Sequence, residues 1–551
     1  MSFELCTSYF EFSSLRLVAS CALYKIQSSK LTKVQSSKFK VQSSKYKVQS
    51  TKLKGQRPKT NSYYFTTLGV PTKMSSQVAT APAWTIPDYL EVHNGHLTVN
   101  GADALQLVRD YGSPLFVFSE SRIRTNIQRL KDGAAAVDHP IRFFYASKAN
   151  SNMAILKTVL EAGIDVEVNS GGELYKALQV GFRPQQIIFN GTSKSGAELD
   201  ESVRAGIYAL NVDSIYEIGL VEESVKRVAA ERGGPIVPAR IALRLVPEIG
   251  TRSHLGLQTA LLTSKFGISS SEVLDAFRRG LQNPDLITVC GIHIHVGSQT
   301  PDVEPFAQAF RNMWEHLVTI HRETGHTLEH INLGGGIPVN YLRDRSHADR
   351  LPEHEREMLG AELEPATVLA EALQVARKSA REAGAEQLLD HLTILLEPGR
   401  SVIADAGLVL TTVLNMKRRP ETGDVWLLTD AGYNLMLSMN NYKWYYHLVS
   451  ASRAGEPHNR DYKVAGPLCD SGDVYFDIER CGRLPDYRGL PVDVQPGEVL
   501  GLLNSGAYSL AQMFPYNGRP LPAAVLIRKD GSVSLARRRD SYQDLLTGDQ
   551  W

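Results

Sequence analysis

The residues best suited to chemistry each follow a short apolar run. Lys148 follows "FFYAS", His295 and Ser298 stand in "GIHIHVGSQ", and Glu397 closes "TILLE". Gly334–Gly336, in "LGGGIP", form a run without side chains. A lysine amine condenses with an aldehyde, glycine N–H groups approach an anion closely, and a carboxylate keeps a ring nitrogen protonated. Together they predict a site for a phosphorylated ring aldehyde, pyridoxal 5′-phosphate.

Each of these residues also has an ordinary structural explanation. Taken alone, Lys148 fits a solvated surface lysine, His295 a hydrogen-bonded core histidine, and Glu397 a helix-capping carboxylate. The glycine run alone fits a tight turn, and it lacks the spacing of a Walker loop or a dinucleotide-binding loop. The combination favours the cofactor, because these residues occur in order at the ends of successive predicted strands.

Short apolar segments alternate with helix-like segments from residue 142 onward. The predicted strands are 142–147, 164–169, 187–190, 208–212, 240–246, 290–296, 330–333 and 393–397. Helix-like segments between the first four strands end in glycine, a common helix stop. Alternating strands and helices favour a parallel sheet, and eight such units favour a closed (β/α)8 TIM barrel over an open sheet. Functional groups in such barrels follow the carboxyl ends of the strands.

We predict four regions along the chain. A barrel occupies residues 119–400, and residues 401–551 carry strand and hairpin patterns that predict a C-terminal β-rich domain. Residues 81–118, with "YLEVHNGHLTVNG" and "PLFVFS", also indicate β structure, which we expect to pack with the C-terminal domain. The fold class is therefore α/β. Residues 1–80 form a basic, low-complexity head.

This head repeats "KVQSSKF", "KVQSSKY" and "KVQSTKL" every seven residues. One valine per repeat (Val34, Val41 and Val48) cannot form a helix seam, which needs two apolar positions, so we predict disorder. Three explanations stay open: translated upstream sequence ahead of a true start at Met74, a solvated tail without a specific role, or a targeting peptide.

Composition excludes several classes of function. Hydrophobic residues make up 43% of the chain and charged residues 22%, as in ordinary globular proteins. Outside residues 1–87 the chain is acidic by ten charges, which argues against a nucleic-acid partner. No apolar run is long enough to span a membrane. The five cysteines lack metal-binding spacing, so we expect no metal, a reducing compartment and a cytoplasmic location.

Nine motifs are similar to those of the fold-type III pyridoxal-phosphate decarboxylases, the class of ornithine, lysine, arginine and diaminopimelate decarboxylases. They are "YASKANSN", "VNSGGEL", "SKFGI", "GIHIHVGSQ", "NLGGGIP", "LEPGR", "DAG", "GPLCDSGD" and "GAY". The resemblance covers about residues 86–545 and is closest to diaminopimelate decarboxylases. It implies an alanine-racemase-like barrel followed by a β domain, in a homodimer that shares its active sites between subunits.

The resemblance also implies how pyridoxal 5′-phosphate is held. Lys148 would form the Schiff base, His295 would stack on the ring, and Glu397 would face the ring nitrogen. The phosphate would be held by Ser298, Gly334, Gly335, Gly336 and Tyr508. A glutamate beside the ring nitrogen favours decarboxylation over racemisation, because a protonated ring accepts the electron pair that the departing CO2 leaves behind.

For the substrate, the resemblance implies contacts with Arg400 and Tyr442. Cys469 resembles the cysteine that the partner subunit supplies to protonate the product, and Asp470 resembles the acidic neighbour that contacts the distal end of the substrate. Free Cys469 also fits a small buried thiol. Diaminopimelate decarboxylases usually carry an arginine for a substrate carboxylate where this chain has Ser438, and Asp470 is one methylene shorter than the usual glutamate.

The leading prediction is decarboxylation of meso-2,6-diaminopimelate to L-lysine and CO2, with a small-molecule amino acid as the substrate. Because the usual arginine is missing, another diamino acid, or an amino acid linked to a carrier or siderophore precursor, is the alternative. Arg400 is the cation best suited to a second carboxylate, and Lys443 is a poorer one. A non-catalytic, pyridoxal-phosphate-binding regulator is the alternative from a different class.

Overall fold

The computed structural model describes residues 82–250, 263–343, 350–479 and 481–550. The low-complexity head predicted for residues 1–80 lies outside these ranges. Within the described ranges, no helix combines the length and apolarity needed to cross a bilayer.

Three short antiparallel strands precede the barrel: β1 (Leu90–His93), β2 (His96–Val99) and β3 (Ala102–Asp103). Asn94 and Gly95 connect β1 to β2 with φ values of 52° and 82°. Two positive φ values are what a two-residue hairpin loop of this kind requires, and Asn-Gly supplies them with little strain. Helix α1 (Ala104–Tyr111) and strand β4 (Leu115–Ser119) follow.

Eight parallel strands of the described region close into a barrel. They are β5 (Ile141–Ala146), β6 (Asp165–Val168), β7 (Ile187–Phe189), β8 (Ala209–Val212), β9 (Ala239–Arg244), β10 (Ile287–His293), β11 (His330–Asn332) and β12 (Thr393–Leu396). Consecutive strands pair in order, and β12 pairs with β5 to close the ring. The predicted (β/α)8 barrel is confirmed.

Helices surround the barrel on the outside of the strands. They are α2 (Glu120–Ala135), α3 (Met153–Glu161), α4 (Gly171–Val180), α5 (Gly196–Ala205), α6 (Ile215–Arg232), α7 (Val273–Gly280), α8 (Glu304–Thr324), α9 (Glu353–Leu359), α10 (Pro365–Ala383) and α11 (Glu386–Asp390). Ser170 and Ser195 cap the N-termini of α4 and α5 through their hydroxyl groups. Gly181 and Gly206 end the same helices in the left-handed conformation, as the predicted glycine stops require.

Two layers of side chains with different chemistry fill the barrel interior. The lower layer is the buried apolar cluster of Phe144, Ile188, Ala209, Cys290 and Leu395. Side chains two residues apart on a strand share a face, so Asn190, Asn211 and Glu397 lie directly above Ile188, Ala209 and Leu395. The upper layer consists of Glu167, Asn190, Asn211, Asn332 and Glu397, all buried. The strands therefore change from apolar to polar side chains at their carboxyl ends.

A second sheet follows the barrel. Its strands are β13 (Gly407–Arg419), β14 (Asp424–Thr429), β15 (Leu448–Ser450), β16 (Arg460–Ala465), β17 (Arg488–Leu490), β18 (Val499–Leu502), β19 (Ala523–Ile527) and β20 (Val533–Arg537). Strand β4, from ahead of the barrel, lies between β13 and β19 and is buried along its whole length. The predicted β-rich part of the fold is confirmed, whereas the domain boundaries stay a prediction.

The link between barrel and sheet differs from the strand pattern expected from residue 401 onward. A single helical turn, α12 (Arg400–Ile403), and a 3-10 turn (Ala404–Ala406) come before β13. The chain packs tightly here, since a Cβ on Gly506 would lie 1.8 Å from the Ile403 carbonyl oxygen. A second short helix, α13 (Leu437–Asn441), lies between β14 and β15.

Candidate active site

A cavity of about 310 Å³ opens at the carboxyl ends of the barrel strands, a volume within the usual range for small-molecule sites. Its lining residues are Lys148, Asn169, Gly191, Arg244, Phe266, His295, Ser298, Arg400, Ser438, Tyr442, Trp444, Tyr508 and Gln512. Six of the predicted site residues belong to this lining. The cavity thus brings together groups from the barrel and from the segments that follow it.

Lys148 extends from the 3-10 turn that ends β5. Its neighbours are small because other chain segments pack against this turn: a Cβ on Gly399 would lie 3.2 Å from the Ala149 Cβ, and the Tyr508 N–H donates to the Ala149 carbonyl at 2.8 Å. Burial opposes a positive charge on the amine. Burial is the largest single influence, but Glu167, Tyr508 and Glu397 together outweigh it and raise the pKa of Lys148 above its ordinary value.

Glu397 follows β12, the barrel neighbour of β5, and both of its carboxylate oxygens are held. Asn332 Nδ2 donates to Oε1 at 2.8 Å, and Asn190 Nδ2 donates to Oε2 at 2.9 Å. His293 Nε2 lies 3.4 Å from Oε1. Burial alone would favour the neutral acid, but His293 and Lys148 lower the pKa of Glu397 well below its ordinary value. The barrel mouth therefore contains an ionised carboxylate near a buried amine.

His295 lines the same cavity as a neutral ring. The Gly335 N–H donates to His295 Nδ1 at 3.1 Å, so the ring hydrogen is on Nε2. Burial, followed by the positive charges of Lys148 and Arg244, lowers the pKa of His295 well below its ordinary value. A neutral imidazole with one fixed nitrogen is suited to packing against a flat ring.

The glycine run holds the loops after β10, β11 and β12 against one another. A Cβ on Gly335 would lie 2.4 Å from the Glu397 carbonyl oxygen, and one on Gly336 would lie 2.3 Å from the Gly297 carbonyl oxygen. The Gly334 N–H donates to Asn332 Oδ1 at 2.9 Å, and that of Gly335 is used by His295. Within the described residues, Gly336 is the member of this run whose N–H has no such partner.

Arg400 lies on one wall of the cavity among aromatic rings. Its Nη1 donates to Tyr341 Oη at 2.7 Å, and its Nη2 donates to Ser298 Oγ at 3.1 Å. The guanidinium carbon lies 4.6 Å from the Trp444 ring centroid and 4.8 Å from that of Tyr508. Tyr508 has a φ of 59°, which turns its ring over the guanidinium. These contacts fix Arg400 in one orientation.

Three residues considered for the substrate lie elsewhere. Lys443 Nζ is 3.5 Å from Glu479 Oε1 and is absent from the lining of this cavity. Cys469 and Asp470 are exposed and absent from the lining as well. Tyr433 Oη donates to Asp470 Oδ2 at 2.9 Å. The single chain therefore does not bring Cys469 and Asp470 to the lining that contains Lys148.

Sequence reasoning missed several residues of the site. Arg244, at the end of β9, lines the cavity and lies 4.2 Å from the Phe266 ring centroid. The three asparagines of the upper layer were missed too, although each lies at or near the carboxyl end of a strand ("IIFN", "ALNV", "HIN"). An asparagine repeated at the same level of several strands was the available signal.

Comparison with known proteins identifies relatives of the chain. Residues 121–404 match the family model described as "Pyridoxal-dependent decarboxylase, pyridoxal binding domain". The diaminopimelate decarboxylase of Methanothermobacter thermautotrophicus is 32% identical over 84% of this chain and 97% of its own length. That of Bacillus subtilis is 31% identical over 82% of this chain and 94% of its own length.

Solved structures of diaminopimelate decarboxylases are also similar to this chain. The crystal structure of diaminopimelate decarboxylase from M. jannaschii has a TM-score of 0.71 and 31% identity, and the match covers 84% of this chain and 98% of that one. The structure of the same enzyme in complex with L-lysine has a TM-score of 0.70, with the same identity and the same shares.

Proposed function

Because the chain belongs to the pyridoxal-dependent decarboxylases, we propose that it converts meso-2,6-diaminopimelate to L-lysine and CO2 with pyridoxal 5′-phosphate as cofactor. The observation that carries this proposal is an amine and an ionised carboxylate at one barrel mouth: Lys148 follows β5, and Glu397 follows the neighbouring β12. The similarity to enzymes named diaminopimelate decarboxylases, one solved with L-lysine, supports the substrate and product.

The residues at the barrel mouth fit the cofactor. Pyridoxal phosphate supplies an aldehyde that condenses with amines and a protonated ring that accepts the electron pair of the departing carboxylate. Lys148 is the amine that binds the aldehyde. Glu397 would hold a proton on the ring nitrogen; His293 and Lys148 keep it ionised for that task, and two amide donors hold its oxygens. Neutral His295 packs on the ring face without placing a second positive charge there.

At the phosphate end, three kinds of donor are available. Ser298 contributes a hydroxyl, and Arg400 lies beside it with a fixed charge. Gly336 contributes the backbone N–H, while Gly334 and Gly335 allow the loops to approach closely enough. Tyr508 contributes its phenol. We assign Ser298, the three glycines and Tyr508 to phosphate binding, with the glycine contribution concentrated at Gly336.

The charge of the cavity favours a substrate with two carboxylates. Lys148, Arg244 and Arg400 are its cationic groups, and within the described residues its lining contains no Asp or Glu. Ornithine, lysine and arginine each carry a cationic distal end, which this lining does not complement. Arg400 orients a substrate carboxylate. Tyr442, which directly follows α13, supplies a hydroxyl group to the substrate.

The remaining groups imply a homodimer. Cys469 and Asp470 are exposed, so they are available to a second copy of the chain. Around them, the rings of Tyr433, Phe514 and Tyr516 lie within 6.2 Å of one another by centroid distance, which gives this surface an aromatic character typical of interfaces. We assign protonation of the product carbon to Cys469 of the partner subunit, and contact with the distal ammonium to Asp470 of the partner subunit.

A cytoplasmic location belongs to the same proposal. The cysteines in the described residues, Cys290, Cys469 and Cys481, are all free thiols. Free thiols persist in a reducing compartment.

A substrate panel tests the proposal. Purified holoenzyme is incubated with meso-diaminopimelate, ornithine, arginine and lysine, and both CO2 and the amine product are measured. We expect CO2 and L-lysine from diaminopimelate, with little release from the other three acids. Release from another acid alone would transfer the function to that substrate. Release from none, with the visible absorbance of the bound cofactor intact, would favour a non-catalytic regulator.

A further inference from the structure

Gln512 lines the candidate active-site cavity, and the proposed function leaves it without a role. We propose that Gln512 determines substrate specificity: its side-chain oxygen accepts a hydrogen bond from the distal ammonium of diaminopimelate, beside the distal carboxylate. The inference rests on the proposed function, because that function supplies a substrate with an ammonium and a carboxylate at its distal end.

The segment that contains Gln512 is fixed at both ends. Ahead of it, the Tyr508 N–H donates at 2.8 Å to the carbonyl of Ala149, in the turn that carries the reacting lysine. Behind it, the Phe514 N–H donates to the Asn434 carbonyl at 3.0 Å, and Asn434 Nδ2 donates to the Phe514 carbonyl at 3.3 Å. Gln512 therefore lies between the reacting amine and the aromatic surface that contains Phe514.

The backbone closes the turn at Gln512 without its side chain. Gln512 ends a 3-10 turn, Leu510–Gln512, in which its N–H donates to the Ser509 carbonyl at 2.9 Å. Its Oε1 is buried and has no hydrogen-bond partner. Within the described residues, it is the one buried side-chain oxygen of the cavity lining in this condition. A buried acceptor without a donor is destabilising, so a ligand that brings a donor to it binds favourably.

The charges of the lining decide which donor needs this acceptor. Lys148, Arg244 and Arg400 are cationic, and within the described residues the lining contains no Asp or Glu. These cations complement carboxylates and repel an ammonium, which therefore needs an acceptor of its own. Gln512 Oε1 supplies one. A neutral amide accepts from the ammonium without repelling the carboxylate on the same carbon, whereas a glutamate at this position would repel it.

The contact is compatible with the other groups assigned to the substrate. An ammonium has three N–H donors, so Gln512 and Asp470 of the partner subunit can each accept one. With Arg400 on the carboxylate, both polar groups of the distal carbon are recognised. A ligand that has the distal carboxylate but lacks the amine leaves the Gln512 oxygen unpaired, and such a ligand should bind more weakly.

A pair of ligands that differs only in this amine tests the contact. L-Lysine, bound as the product, and 6-aminohexanoate share their chain length, the amine at the reacting end and the carboxylate at the other end. Only L-lysine carries an amine beside that carboxylate. Their Kd values are measured by isothermal titration calorimetry with the wild-type holoenzyme and with Gln512→Met, which has similar length but no amide oxygen.

We expect the preference for L-lysine, expressed as the ratio of the two Kd values, to fall by about 10–100-fold in Gln512→Met. This is the range for a hydrogen bond to a charged group. Gln512→Glu retains an acceptor and should preserve the preference, because its added charge repels the carboxylate that both ligands share and this effect cancels in the ratio.

Gln128→Met makes the same substitution at an exposed position on α2 and is the matched control. Both Kd values should stay at their wild-type levels in this variant. Should Gln512→Met fail to bind the cofactor, as judged by visible absorbance, Gln512→Ala is measured in its place. An unchanged preference for L-lysine in a folded variant that lacks the amide would overturn the proposal.

Turnover gives a second readout. Because meso-diaminopimelate yields L-lysine, the reacting carbon is its D centre, and D-2-aminopimelate is the matching substrate without the distal amine. Its decarboxylation gives CO2 and 6-aminohexanoate. We expect Gln512→Met to lower kcat/KM for diaminopimelate by about 10–100-fold and to leave kcat/KM for D-2-aminopimelate near wild type, whereas equal losses for both substrates would contradict the proposal. The binding experiment needs no turnover, so its failure is distinct from a failure to decarboxylate diaminopimelate.

Discussion

The lower and upper layers of the barrel interior follow each other along β7, β8 and β12, two residues apart, and they differ in chemistry. The lower layer, Phe144, Ile188, Ala209, Cys290 and Leu395, is an apolar cluster. The upper layer contains two carboxylates and three amides, also buried. Both layers are buried, and the polar groups of the upper layer are stabilised there by hydrogen bonds within the layer and by the charges of His293 and Lys148.

The difference shows how this barrel separates stability from chemistry. Apolar burial in the lower layer is not directional and tolerates any well-packed set of side chains. The upper layer depends on named donors and acceptors: without Asn332 and Asn190, Glu397 would be an unsatisfied buried charge. Substitutions in the upper layer should therefore change reactivity, and substitutions in the lower layer should change the free energy of unfolding.

The largest expected effect comes from Lys148, directly above the upper layer. In Lys148→Ala we expect no visible absorbance after incubation with pyridoxal phosphate, and no measurable CO2 release, because the aldehyde has no amine to bind. Lys157→Ala, at a half-exposed position on α3, is the control and should keep both the visible absorbance and the CO2 release. Persistent colour in Lys148→Ala would disprove the assignment of the reacting amine.

Glu397→Gln should have the next largest effect. The amide has no negative charge to stabilise a proton on the ring nitrogen, so the ring would be neutral and would accept electrons poorly. We expect kcat to fall by about 10²–10³-fold, as for the loss of one preorganised electrostatic group, with the visible absorbance retained. A kcat within a fewfold of wild type, measured as CO2 release at saturating substrate, would show that the carboxylate of the upper layer is dispensable.

Leu395→Ala, two residues earlier on β12, makes the matched change in the lower layer. Removing a fully buried leucine side chain leaves a cavity, and we expect the free energy of unfolding to fall by about 2–5 kcal/mol. The kcat of the folded fraction should stay close to wild type. Urea unfolding and activity are measured on the same preparation. A large loss of kcat with unchanged stability would remove the distinction between the layers.

Much of this organisation could be predicted from the sequence. Alternating apolar and helical patterns predicted the barrel, and the ends of its strands pointed to Lys148, Glu397 and the glycine run. The asparagines of the upper layer were missed because a lone asparagine after a strand is also a common turn residue. Their role depends on which strands become neighbours in the ring, and the local pattern does not contain that information.

Other features that the sequence did not predict have different causes. Arg244 lies within the predicted strand 240–246, whose other residues are mainly apolar, and only the closed barrel brings it to the cavity. A turn of helix at Arg400–Ile403 stands where a strand was expected, at a place where the chain packs closely against Gly506. Roles for Cys469 and Asp470 depend on a second copy of the chain, so they stay a proposal.

Asn332→Ala should have the smallest of these effects, and its pH dependence makes it the sharpest test of the upper layer. The amide of Asn332 donates to Glu397 at 2.8 Å, and a hydrogen bond to a buried ionised group contributes about 1.5–3 kcal/mol.

In the folded protein the pKa of Glu397 is lowered, so the stability that this carboxylate contributes is present above its unfolded pKa and is lost as the pH falls through its folded pKa. We therefore expect the apoenzyme to lose about this much stability at pH 7 and less at pH 3, which lies close to the folded pKa of about 2, with a remainder from the lost bond to the Gly334 N–H. Asn434→Ala is the control, since buried Asn434 donates to the Phe514 carbonyl and not to a carboxylate. Denaturant unfolding at the two pH values measures the difference, and a destabilisation of Asn332→Ala that is equal at both would mean that the amide does not act by holding the charge of Glu397.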